Sequence, residues 1–195
     1  MTAELTNTIT DADGTGWGER RSKVVSWHDP APTTAAGLSM AGIDYLQAMM
    51  HRHIPRPPIA ELMQIDLILA EPGRVIFTCA PDESMYNATG TIHGGAVATL
   101  LDTAVGCALL STLPHGKGLI SVEIKVNYLR AVHPSGGVLT ATGTVVKSGS
   151  RVGFTEAVVT DERGVLIATA SSTLLIFDMQ NSLGASASVP STTAS

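Results

Sequence analysis

An α+β fold is expected, with one antiparallel sheet wrapped around one long buried helix. Three observations predict it. Residues 96–110 carry apolar side chains in every direction and one charge, Asp102, so they read as a helix enclosed by other elements. Ile120, Val122, Ile124, Val126 and Tyr128 alternate with Ser121, Glu123, Lys125 and Asn127, a period-two strand. Three further strand-like runs follow with only short turns between them, which suits an antiparallel meander.

The elements follow in order. Residues 1–36 are rich in Thr, Ala, Gly, Asp and Pro without sustained periodicity, and are expected to lack ordered structure. One domain is expected over residues 37–178. It opens with a helix from Gly42 to His51 that stops before Pro55. Leu62 to Ala70 and Arg74 to Ala80 read as strands, with Glu71-Pro72-Gly73 as their turn. The apolar helix comes next, then the alternating strand. Val138 to Lys147, Phe154 to Thr160 and Val165 to Phe177 complete the sheet, turning at Lys147-Ser-Gly-Ser-Arg151 and Asp161-Glu-Arg-Gly164. Residues 179–195 read as a disordered tail.

Composition narrows the function classes. With 44% hydrophobic and 15% charged residues in 195, a sizeable core is expected. The net charge is −5 and no basic run occurs, so neither nucleic acid nor an anionic membrane is expected as a partner. The apolar helix is shorter than the ~20 residues a membrane span needs. No apolar run follows a basic start, and Cys79 and Cys107 form no C-x-x-C pair. A cytoplasmic protein with two reduced thiols is therefore expected. His51 and His53 have metal-ligand chemistry but no third ligand nearby, so no metal site is expected. No Lys-bearing phosphate loop and no G-x-S-x-G occurs.

The segment from Asn87 to Ala104 carries the chemistry. A buried charge is costly unless something compensates or uses it, so Asp102 stands out. The helix opens on His93-Gly94-Gly95. Its first backbone N–H groups have no partner within the helix and lie at the positive end of its dipole. They suit a carbonyl oxygen that gains negative charge during reaction. An oxyanion site and a carboxylate are the two parts needed to hydrolyse an ester or thioester with water. Gly94 and Asp102 are eight residues apart, roughly 12 Å along a helix axis. One scissile carbonyl needs both within about 3 Å of its reacting atoms. Two antiparallel copies would bring Gly94 of one beside Asp102 of the other, so a site shared between subunits is expected.

The chain resembles the hotdog-fold acyl-CoA thioesterases, in the PaaI-like branch that includes phenylacetate-pathway and THEM-type enzymes. The resemblance spans about residues 55–177. Its pattern N-x-x-G-x-x-H-G-G, with an acid nine residues after the His, stands as Asn87, Gly90, His93, Gly94, Gly95 and Asp102. Ser121-Val-Glu, Asn127-Tyr-Leu-Arg130, Gly149-Ser-Arg151 and Gly164-Val-Leu-Ile-Ala168 follow in family order. The resemblance implies Asp102 as general base or nucleophile and the Gly94 N–H as oxyanion donor. It implies that Asn87 and His93 orient substrate or water, and that Ser121 positions the attacking water. The strand alternation places Ser121 on the polar face. Gly95 would line the substrate site, and Arg130, Lys147 and Arg151 would meet the phosphates of coenzyme A. The implied substrate is acyl-CoA, without metal or redox cofactor, and the implied assembly a homodimer that pairs into a homotetramer. Two other readings stay open: a hotdog hydratase or dehydratase acting on enoyl-CoA, and an acyl-CoA-binding regulatory domain without catalysis.

Overall fold

The computed structural model describes residues 19–179. Helix α1 (Pro30–Leu38) is the first element. Asp29 starts it by accepting a hydrogen bond from the Ala31 N–H at 2.9 Å, and Pro30 takes the first helical position. The expectation of an unstructured segment through residue 36 therefore fails over its last seven residues. A short helix of Ala, Thr and Gly shows little periodicity, and the cap is its only signal. Residues 19–29 form no helix or strand, while residues 1–18, and residues 180–195 of the tail expected from 179, lie outside the described residues.

Helix α2 (Gly42–Met50) buries Leu46 and Met49. Its first residue must be glycine, because a Cβ there would collide with the carbonyl oxygen of Leu110. The chain then forms a short helix α3 (Pro58–Leu62) where a strand was expected to begin. Pro58 presets its first turn, and Gln64, at φ 52°, redirects the chain afterwards. Strands β1 (Ile65–Glu71) and β2 (Arg74–Cys79) follow, joined through Gly73 at φ 79°.

Helix α4 (Gly94–Leu110) has 17 residues. After it come β3 (Lys117–Tyr128), β4 (Leu139–Ser148), β5 (Val152–Thr160) and β6 (Leu166–Asp178). The six strands form one antiparallel sheet in the order β1-β2-β4-β5-β6-β3. Helix α4 touches β2, β3, β4, β5 and β6, so the sheet curves around it. Leu100, Leu101, Ala104, Val105 and Ala108 of α4 meet Val75, Ala141, Val159 and Ala168 of the sheet in the core. Gly143 lets β4 approach closely, since a Cβ there would strike the Ala104 carbonyl.

Among the described residues, strand β3 lies at one sheet edge and pairs with β6 alone. A β-bulge between Ser121 and Glu123 changes its alternation. Ser121, Ile124, Val126 and Tyr128 pair with the inward-facing Leu174, Ser172, Ala170 and Ala168. Ile120 pairs instead with the exposed Leu175 and is itself 57% exposed. Ser121 therefore joins the inner face, not the polar outer face that strict alternation assigns it.

Candidate active site

The turn before α4 is built by one side chain. Asn87 Oδ1 accepts from the Thr89 N–H at 2.9 Å, the Thr89 hydroxyl at 2.7 Å and the Thr91 N–H at 3.2 Å. Its Nδ2 donates to Thr91 Oγ1 at 2.8 Å. Asn side chains stabilise turns by such local bonds. Gly90 closes the turn at φ 76°, and the His93 N–H returns to the Met85 carbonyl at 2.8 Å.

His93 caps α4. Its Nδ1 accepts from the Gly95 N–H at 2.8 Å, which leaves Nε2 to carry the ring proton. The cap uses the Gly95 donor. Among the described hydrogen bonds the Gly94 N–H has no acceptor, and this donor stands at the positive end of a 17-residue helix. The Gly94 carbonyl accepts from the Tyr128 hydroxyl at 2.9 Å. Tyr128 closes the inner face of β3, so the phenol ties the strand to the first turn of the helix.

One turn to the next, α4 has a covered side and an open flank. Val97, Leu100, Leu101, Ala104, Val105, Ala108 and Leu109 are buried. Asp102 is exposed, contrary to the enclosed helix that the sequence suggested. The apolar run is uniform, but the sheet ends at β3 and leaves a flank on which Gly95 and Asp102 are exposed and Thr99 and Gly106 half-buried. Ser121 Oγ donates to Asp102 Oδ1 at 2.9 Å. Burial and the Asp102 charge push the neighbouring Cys107 thiol up to about 12.

An open cleft of about 340 Å³ adjoins the helix start, lined by Asn87, Gly94, Val97, Tyr128 and Arg130 among others. The fold thus brings Asn87, Gly94, Tyr128 and Arg130 to one place, and Asp102 with Ser121 to another further along α4. Lys147 and Arg151 flank the β4–β5 turn and are exposed. That turn pairs through Val152 and Leu175 with Ile120, near the start of β3, whereas Arg130 follows its end. The three cations do not converge within one chain. Tyr128 was not singled out from sequence, and its place as the last inward residue of the alternating run was the available signal. Among the described residues no group of three His, Cys, Asp or Glu side chains is placed to hold a metal ion. No helix of the described residues is long and apolar enough to cross a membrane.

Comparison with known proteins gives the family and the fold. The thioesterase superfamily model matches residues 89–168. Human acyl-coenzyme A thioesterase 13 is 36% identical over 113 residues, 57% of this chain and 79% of the relative. This chain belongs to the thioesterase superfamily. Its fold is the hotdog fold: the Escherichia coli PaaI protein, from the phenylacetic acid degradation operon, superposes with a TM-score of 0.61 at 22% identity, over 71% of this chain and 96% of that one. A Streptococcus mutans protein solved bound to acetyl CoA is 27% identical with a TM-score of 0.54, over 58% of this chain and 89% of that one. The region matched to the superfamily holds Gly90, the α4 cap, Asp102, Ser121, Tyr128 and Arg130 of this thioesterase. Helices α1 to α3 lie before it.

Proposed function

We propose that this thioesterase hydrolyses acyl-CoA to a free carboxylic acid and coenzyme A at a site built from two chains. The observation that carries the reading is the pairing of an open Gly94 donor at a helix start with a Ser121-held carboxylate eight residues on. Asp102 accepts the proton of a water whose oxygen attacks the thioester carbonyl. The carbonyl oxygen becomes negative against the Gly94 N–H, where the helix dipole favours it. The carbon–sulfur bond then breaks, the thiolate takes a proton and coenzyme A leaves. In a variant of this scheme Asp102 attacks directly and water cleaves the resulting anhydride. Ser121 holds the carboxylate in one orientation. Asn87 and His93 act by fixing the loop and the cap that aim Gly94.

Two chains are required because ~12 Å separates Gly94 from Asp102 on one helix. The exposed flank of α4 and the unpaired edge of β3, with Ile120 and Val122 57% and 65% exposed, form one surface that a second copy covers. Gly94, Tyr128 and Arg130 of one chain then face Asp102 and Ser121 of the other. Arg130 of the first and Lys147 or Arg151 of the second reach the phosphates of coenzyme A from opposite sides. Pairing of such dimers gives a tetramer, and both free thiols fit a cytoplasmic setting. The test is thiol release from a panel of acyl-CoA substrates by the purified protein. Sustained release at the rate of free acid formation is expected. Hydration of enoyl-CoA, or binding without thiol release, overturns the proposal.

A further inference from the structure

Two glycines open α4, and neither has a side chain to fix its backbone angles. Glycine keeps more backbone freedom than any other residue, so this first turn is soft by composition. An oxyanion donor is effective only when its direction is set before the reaction. Something outside the helix must therefore hold the turn.

Two side chains clamp the peptide between Gly94 and Gly95. The Tyr128 hydroxyl donates to its carbonyl at 2.9 Å. His93 Nδ1 accepts from its N–H at 2.8 Å. A peptide unit is planar and rigid, so bonds at both ends fix its plane. The Tyr128 ring also lies against the Gly94 Cα, since a Cβ there would come to 3.2 Å from Tyr128 Cζ and 3.4 Å from its hydroxyl. The phenol bond is not needed to satisfy the carbonyl. At a helix start the N–H groups lack partners, whereas the carbonyls accept from the next turn. Nor does Tyr128 fill the core, because it is 53% exposed. The chain just after it is tied down, with the Leu129 and Arg130 N–H groups donating to the Ile167 carbonyl at 2.8 and 3.2 Å.

We propose that Tyr128 is a positioning residue for the hydrolysis: by holding the Gly94–Gly95 peptide, it aims the Gly94 N–H at the thioester carbonyl. The proposal rests on reading that N–H as the oxyanion donor. The same bond strengthens the cap. A carbonyl that accepts a hydrogen bond makes the N–H of its peptide a better donor, here to His93 Nδ1. Tyr128, the peptide and His93 thus form one chain of hydrogen bonds that joins the end of β3 to the start of α4.

Tyr128→Phe keeps the ring and removes the hydroxyl. In steady-state thiol release from one acyl-CoA, kcat is expected to fall at least about fivefold, the worth of one ordinary hydrogen bond, with KM changed less than about twofold. Amide hydrogen exchange, followed by NMR on the same two proteins, is expected to speed up at Gly95 by at least about fivefold and to stay unchanged at Leu101 and Ala104. A phenol that touches substrate instead would raise KM and leave Gly95 exchange as in the parent. A phenol that only supports packing would speed exchange at Leu101 and Ala104 as well. Either result overturns the proposal, as does a variant with the parent's kcat. If the parent itself releases no thiol, the hydrolytic reading fails, and exchange decides on the clamp alone. Faster exchange confined to Gly95 supports it, and unchanged exchange there overturns it.

Discussion

Among the described residues Asp102 has one hydrogen-bond partner, Ser121, and its side chain is exposed. Asp102→Asn keeps the shape and removes the basicity. The expected outcome is an unchanged melting curve with kcat down by at least about 10²-fold, as loss of general-base action predicts. Turnover near that of the parent would remove Asp102 from the mechanism. Ser121→Ala frees the carboxylate to rotate. It is expected to lower kcat more than it raises KM, which steady-state kinetics on one acyl-CoA reads directly. The residue types at this site were legible in the sequence, because one charge in an apolar helix after a His-Gly-Gly start has few uses. Their exposure was not. A uniformly apolar helix does not say which flank its sheet leaves bare. Ser121 fell on the wrong face because alternation assumes an unbroken ladder, and the bulge at Ser121 and Glu123 is set by the pairing with β6.

At the scale of elements, glycine sets how closely layers approach. Gly143→Ala drives a methyl group into the Ala104 carbonyl of α4. Neither backbone can yield cheaply, so a loss of about 2 kcal/mol or more in denaturant unfolding is expected. A stability equal to the parent's would mean that the sheet does not rest on α4 as described. The segment after β2 is fastened to Lys23 by charge. Asp82 accepts from Lys23 and Ser84, which hold its carboxyl down at about 2, below the usual 3.8. A carboxyl lowered in the folded state stabilises above its unfolded value and loses that contribution as pH falls toward 2. Lys23→Met is therefore expected to flatten the fall of melting temperature between about pH 4 and pH 2, checked by thermal scans in that window. A slope identical to the parent's would mean that the pair carries no linkage. The strands were legible from alternation and turn residues, to within a few residues at their ends. Helix α3 was not, since its five residues are too few to show a period and its last, Leu62, was read as the start of the strand, and Gln64 enters the left-handed region without being glycine.

At the scale of the molecule, the two groups of residues proposed to share one site do not meet within one chain. The loop, the cap and Arg130 gather at the start of α4, and the carboxylate lies midway along it. In the dimer proposed above, a two-fold partner makes each site from one half of each chain. Gly94 allows a selective removal of the donor. It is the first helical residue, where proline is tolerated, and His93 before it sits at φ −63° and ψ 135°, a conformation that proline accepts in its predecessor. Gly94→Pro thus deletes the N–H, while its Cβ comes to 3.2 Å from the Tyr128 ring, which must shift slightly, and alone it should be nearly inactive, as should Asp102→Asn. Co-refolding the two in equal amounts is the most direct test. Mixed dimers carry one site with both native halves, so about a quarter of the parent's thiol release is predicted to return. A mixture as inactive as its two components would contradict a site shared between chains.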